Sequence, residues 1–119
     1  MAQVISFFAR QAIMGNTGSA TFYSEIFEVP QGAQFVAQFR VDASLDEAVS
    51  GTGILEHCMD QRLTPTNVWT QVGTSMSAVV GGSAYQAVSN LGRFLRAKIT
   101  VPPGGAQVLS LDGVLRERT

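Results

Sequence analysis

The residues in this sequence best suited to chemistry are His57, Cys58 and Asp60. An imidazole beside a thiol could activate a nucleophile or bind a metal ion. In an extended segment, however, adjacent side chains point to opposite faces, so His57 and Cys58 would not share one centre. Because the chain has only 1 His and 1 Cys, it cannot assemble a structural zinc site or an internal disulfide by itself. We therefore expect no catalytic residue, no metal site and no cofactor.

Other catalytic and binding motifs are incomplete. No Gly-x-Ser-x-Gly elbow is present for a nucleophilic serine. Gly51-Thr52-Gly53 lacks the third glycine of a dinucleotide fingerprint and the lysine of a phosphate loop. Asp42, Asp46 and Glu47 lie near one turn and could hold calcium only by chance placement. These motifs favour no enzymatic function.

Trp69 and Tyr85 are the residues that could form a ligand platform. Large aromatic rings with a polar group are suited to flat contacts with ligands such as sugars. Trp69 lies where a turn passes into a strand, so its ring could face solvent. The alternative is that Trp69 fills the core, as a single Trp often does in a small sandwich.

The composition indicates one globular domain with a nearly neutral surface. The chain has 119 residues, of which 45% are hydrophobic and 14% charged, and its net charge is -1. Soluble domains usually have about 25% charged residues. Without a basic patch, a nucleic-acid partner is not expected. Small neutral side chains cost little to desolvate, which suits a protein packed against neighbours.

Regular turn signals predict short strands. Gly, Pro, Asn and Ser clusters interrupt the chain seven times and leave eight segments. Residues 34–41, 92–101 and 107–115 alternate apolar and polar side chains, as half-buried strands do, with Val36 as the exception in the first. Further strands are predicted at 21–29, 54–59 and 68–72, and at 75–80 paired with 84–88 around Gly81-Gly82. The fold class is all-β: an antiparallel β-sandwich of about eight strands, either jelly-roll or immunoglobulin-like.

The first residues could be a strand or an arm. We predict an N-terminal strand or arm over residues 1–19 and a β-sandwich domain over 20–119. The apolar start carries Val4, Ile5, Phe7 and Phe8, and in a regular strand Phe7 and Phe8 would be buried on opposite sides. Such a segment could add to the sheet edge of a neighbouring molecule. It could equally be the first strand of its own sandwich.

Several segments resemble small β-sandwich proteins of tailed-bacteriophage virions. The similar segments are YSEIFEV at 23–29, SGTG at 50–53, Val68-Trp69 and GRFLR at 92–96. The resemblance implies a non-enzymatic capsid decoration or cement subunit that binds the major capsid protein and its own copies. It also implies a homo-oligomer made in the bacterial host cytoplasm and located in the virion. No membrane partner is expected, because no stretch approaches the roughly 18 apolar residues of a membrane span. A carbohydrate- or receptor-binding module of a phage tail or fibre is the alternative, with Trp69 and Tyr85 in contact with the ligand.

One segment departs from this pattern. Where those proteins close a tight hairpin with Asp-Gly, this chain has the longer stretch 60–67. Loops of this kind often carry specific contacts. We therefore predict an interface at Arg62 and Leu63, together with Val4, Ile5, Phe7 and Phe8 of the N-terminal segment.

Overall fold

Two antiparallel β-sheets make up the fold. The computed structural model describes residues 2–14, 20–44, 51–78, 81–101 and 106–116. The strands in these ranges are β1 (Ala2–Met14), β2 (Ala20–Tyr23), β3 (Phe27–Glu28), β4 (Gln34–Ser44), β5 (Thr52–Cys58), β6 (Thr70–Met76), β7 (Ser83–Val88), β8 (Phe94–Val101) and β9 (Ala106–Arg116).

The strand order identifies the topology as a jelly roll. The front sheet has the order β1-β9-β4-β7, and the back sheet has the order β2-β8-β5-β6, with β3 also pairing with β8. If β2 and β3 are counted as one interrupted strand, the sandwich has eight strands. The first then pairs with the last (β1 with β9), the second with the seventh (β2 and β3 with β8), the third with the sixth (β4 with β7) and the fourth with the fifth (β5 with β6). This nested pairing is that of a jelly roll. The predicted all-β sandwich is confirmed, and of its two predicted topologies the jelly roll is the one observed.

The core lies between the sheets and follows the predicted period of two. On β4, Phe35, Ala37, Phe39 and Val41 are each at most 1% exposed. Every second residue of β8, from Leu95 to Val101, is fully buried as well. Alternation buries one face of a strand and leaves the other to solvent, so these strands stack two apolar faces against each other. Burial of these side chains is the main stabilising contribution to the fold.

The predicted strand over 21–29 is interrupted at Ser24. The backbone N–H of Ser24 donates to the carbonyl of Ala97 (2.9 Å), and the Ala97 N–H donates to Ser24 Oγ (2.8 Å). A side-chain oxygen thus accepts the hydrogen bond that a strand carbonyl would normally accept. The ladder to β8 remains satisfied while the backbone bends between β2 and β3.

The predicted hairpin of 75–80 with 84–88 is wrong. β6 pairs with β5 in the back sheet, whereas β7 pairs with β4 in the front sheet. Gly81 and Gly82 extend the β4–β7 pairing through hydrogen bonds with Val41, and residues 79–80 lie outside the described part of the chain. The Gln86 side chain joins the two sheets at this edge, since it donates to the carbonyl of Thr74 (2.8 Å) and accepts from its N–H (3.0 Å).

Candidate functional site

The N-terminal segment is a strand of the chain's own front sheet. β1 pairs with β9 along its length, and the register shifts between Ser6 and Phe8. This β-bulge places one extra residue, Phe7, opposite a single step of β9. Phe7 and Phe8 are therefore both buried, at 8% and 5% exposure, instead of pointing to opposite faces as expected. Residues 1 and 15–19 of the predicted arm lie outside the described part.

Of the interface residues predicted on this segment, Val4 is the one that reaches solvent. Ile5 is 2% exposed, and with Phe7 and Phe8 it belongs to the core of this chain. Val4 is 76% exposed on the opposite face of the same strand. Regular alternation buries Ile5 and Phe7, and the bulge then turns Phe8 inwards as well.

Val4 starts a row of apolar residues across the outer face of the front sheet. The register pairs Val4 with Val114, Val114 with Val36, and Val36 with Ala87, so these four residues lie side by side on four neighbouring strands. We call them the valine row. Val36 is 37% exposed, and Ala87 is also exposed. Val36 was the exception to the alternation of its strand, and this exception was the sequence signal for the row.

Tyr85 lies in the next row of the same outer face. This row runs through Ser6, Asp112, Gln38 and Tyr85. Tyr85 is 66% exposed, and its hydroxyl accepts a hydrogen bond from Gln38 Nε2 (2.9 Å). The predicted ligand platform is therefore divided, because Tyr85 belongs to the front sheet and Trp69 precedes β6 of the back sheet.

A polar groove lies beside these rows. Its lining residues are Ser6, Ala9, Arg10, Arg40, Asp42, Ser110 and Asp112. Asp42 accepts ion pairs from Arg10 (3.4 Å) and Arg40 (3.3 Å). Its carboxylate therefore already has two cationic neighbours, an arrangement that disfavours a calcium ion. Asp46 and Glu47, the other two acidic residues of the weak calcium candidate, lie outside the described part.

Trp69 stacks on an arginine of the back sheet. The Arg96 guanidinium carbon lies 4.2 Å from the Trp69 ring centre and 4.4 Å from the Tyr23 ring centre. Arg96 also donates to Glu56 Oε1 (2.8 Å) from a largely buried position. Cation–π contacts and an ion pair hold the same group. Trp69 is half-buried, so it neither fills the core nor stands free as a platform.

The loop 59–69 displays apolar side chains on an ordered backbone. Asn67 Nδ2 donates to Asp60 Oδ2 (2.8 Å) and to the carbonyl of Arg62 (2.9 Å), and Asn67 Oδ1 accepts from the N–H of Thr64 (2.6 Å). Arg62, predicted as an interface residue, is exposed. The large apolar side chains exposed on this loop are Met59 at 56%, Leu63 at 48% and Val68 at 72%.

His57 and Cys58 have separate environments. Cys58 is buried, its Sγ donates to Asp60 Oδ2 (3.3 Å), and burial raises the pKa of this thiol. His57 Nδ1 accepts a hydrogen bond from the N–H of Gly92 (3.0 Å), and burial lowers its pKa. Hydrogen bonds from Asn67 and Cys58 lower the pKa of Asp60. A buried, protonated thiol is a poor nucleophile, and these contacts serve to fix the loop.

In the described ranges, no group of three or more His, Cys, Asp or Glu side chains is placed to hold a metal ion. The same ranges contain no helix of the length and hydrophobicity that a membrane span requires.

Comparisons with known proteins identify the fold alone. No known protein family and no curated protein matches the sequence. A chain in the structure of infectious bursal disease virus, Gx strain, is similar at a TM-score of 0.53 and 11% identity, over 97% of this chain and 30% of that one. The Yersinia pseudotuberculosis-derived mitogen is similar at a TM-score of 0.52 and 15% identity, over 100% of this chain and 91% of that one. The C-terminal CBM6 of LamC, a marine laminarinase from Zobellia galactanivorans, is similar at a TM-score of 0.50 and 12% identity, over 93% of this chain and 99% of that one.

Proposed function

We propose that this chain is a non-enzymatic structural subunit of a virion, a capsid decoration protein that binds the major capsid protein and its own copies. The observation that carries the proposal is the display of apolar side chains in two separate places. The valine row crosses the outer face of the front sheet, and Met59, Leu63 and Val68 are exposed on the loop of the back sheet. Exposed apolar patches usually mark interaction sites.

Two contact surfaces suit a subunit that is attached to a shell and also touches its neighbours. The valine row spans the four strands of the front sheet, whereas the loop 59–69 connects β5 with β6 and is fixed by hydrogen bonds of Asn67. We assign the loop, including the predicted residues Arg62 and Leu63, to the capsid protein. A fixed loop loses little conformational entropy on binding. The fold shared with the bursal disease virus chain is compatible with this role.

The proposal is tested on purified virions of the phage that encodes the chain. We expect peptide mass spectrometry to detect the chain in many copies per particle, and cryo-electron microscopy to locate it on the head. Leu63→Asp should reduce its binding to the shell, whereas Thr52→Asp, an equally charged change at an exposed position of β5, should not. Absence of the chain from virions, together with turnover of a substrate by the purified chain, would refute the proposal.

The second candidate is a carbohydrate-binding module of a phage tail or fibre. The stacked Tyr23, Arg96 and Trp69 side chains favour it, because aromatic rings beside a cation and a carboxylate can contact a sugar. The similarity to the CBM6 of LamC is compatible with it. Glycan-array binding that is lost in Tyr23→Ala but kept in Tyr85→Ala, a change at an exposed tyrosine of the other sheet, would favour this candidate over the first.

A further inference from the structure

We propose that two copies of this chain pair face to face through the front sheet, around a two-fold axis that runs along the valine row. This inference rests on the proposed function, since it identifies one partner as a second copy and describes how that copy docks. Two aligned sheets that pack through small apolar side chains are a common protein contact. A two-fold contact uses the same surface on both copies, so that surface must be complementary to itself.

The charges beside the row meet this condition. On β9, Asp112 precedes Val114 by two residues and Arg116 follows it by two, so all three side chains share the outer face. The residues beside the two charges on neighbouring strands are neutral: Ser6 and Gln38 next to Asp112, and Gln34 next to Arg116.

Asp112 and Arg116 do not neutralise each other within one chain. Four residues of a strand separate them by about 13 Å, which is too far for an ion pair. In the part of the chain that the structure describes, neither side chain has an ion-pair partner. The described outer face therefore presents one unpaired negative charge, Asp112, and one unpaired positive charge, Arg116, at equal distances from the valine row. The arginines of the neighbouring polar groove, Arg10 and Arg40, are both paired with Asp42.

Rotation by half a turn about the valine row pairs these charges between copies. The rotation keeps β9 over β9 of the second copy and reverses its direction. Each valine of the row then packs on the same valine of the second copy. The row that contains Asp112 in one copy meets the row that contains Arg116 in the other copy. Asp112 of each copy consequently faces Arg116 of the other, so the pair gains two complementary contacts.

A capsid protein or a glycan would not require this symmetric placement of opposite charges. Neither partner needs a negative and a positive charge placed at equal distances on the two sides of the valine row. The symmetry of the face itself therefore selects a second copy as its occupant. The self-association is expected to weaken with salt, because the charges lie at the surface.

Charge reversal in the full-length chain tests the pairing. Sedimentation velocity over a concentration series is to be measured for the wild type, Asp112→Arg, Arg116→Asp and an equal mixture of the two variants. Each variant alone places like charges opposite each other and should raise the Kd of self-association by about ten- to a hundredfold. The mixture should associate like the wild type, because one variant has an arginine at both positions and the other has an aspartate at both, so opposite charges meet again.

Two further variants separate this inference from simple loss of folding. Val36→Lys places a charge in the valine row and should abolish association, whereas Thr52→Lys on the exposed side of β5 should leave it unchanged. Circular dichroism must show the same β content for all variants. A wild-type chain that stays monomeric, or a mixture that fails to associate, overturns the face-to-face pair. Either result leaves the detection of the chain in virions unaffected, so the two proposals can fail separately.

Discussion

Replacement of Phe7 by Ala should destabilise the fold strongly. Phe7 is 8% exposed, and its ring packs edge to face against Phe27 (centroids 5.3 Å apart) and Phe35 (5.5 Å). Truncation of a buried Phe to Ala costs about 3–5 kcal/mol. For a chain of this length, 1 kcal/mol corresponds to about 4 °C in Tm, so the expected decrease is about 12–20 °C. This loss is a large part of the total stability of about 5–15 kcal/mol.

Urea denaturation followed by circular dichroism measures the loss, and the same strand offers a matched control. Val4→Ala changes a side chain that is 76% exposed, and it should change the free energy of unfolding by less than about 0.5 kcal/mol. If Phe7→Ala unfolds at the same urea concentration as Val4→Ala, the segment is not part of the core and the arm interpretation is correct. On the present reasoning, deletion of residues 1–10 unfolds the domain rather than removing a detachable arm.

Three further predictions concern the packing and titration of particular residues. Gly113→Ala should destabilise the fold by about 2–3 kcal/mol in thermal unfolding, because a Cβ there would collide with the backbone carbonyl of Val36. Burial lowers the folded-state pKa of His57, so the free energy of unfolding should begin to decrease as pH falls below 6.5. His57→Gln keeps an acceptor for the Gly92 N–H and should abolish this decrease in urea titrations at several pH values. Hydrogen bonds lower the pKa of Asp60, so its stabilisation is present above pH 3.8 and is lost as pH falls through the lowered pKa; Asp60→Asn should remove this dependence in acid titration of urea midpoints.

The central strands could be predicted from local pattern because their environment repeats every two residues. β4, β8 and β9 each have one face in the core, so burial imposes the alternation directly on the sequence. The edge strands carry less of this signal. β6 has one buried residue, Met76, and its partner could not be inferred from its composition. The hairpin of 75–80 with 84–88 was predicted from the Gly81-Gly82 turn, and a turn signal does not determine the sheet that a jelly-roll strand joins.

The candidate surfaces depended still more on tertiary structure. Pairing with β9 and the bulge after Ser6 made core residues of Ile5, Phe7 and Phe8, and a bulge leaves no recognisable mark in a single sequence. Val36 breaks the alternation of its own strand and so marks one member of the valine row. The other members lie on strands far apart in the chain, so no local spacing reveals the row as a whole. Trp69 was expected either in the core or free in solvent, and it instead stacks on Arg96 from another strand.

The sequence by itself determined the fold class. Its period of two and its turn residues follow from the local demands of a strand with one buried face, and each can be seen in a few consecutive residues. Only the tertiary structure decided the strand pairing, the inward turn of Phe7 and Phe8, and the row that Val4, Val36 and Val114 form. Those features depend on register between segments distant in the chain. A shift of one residue in register exchanges the buried and exposed faces of a strand.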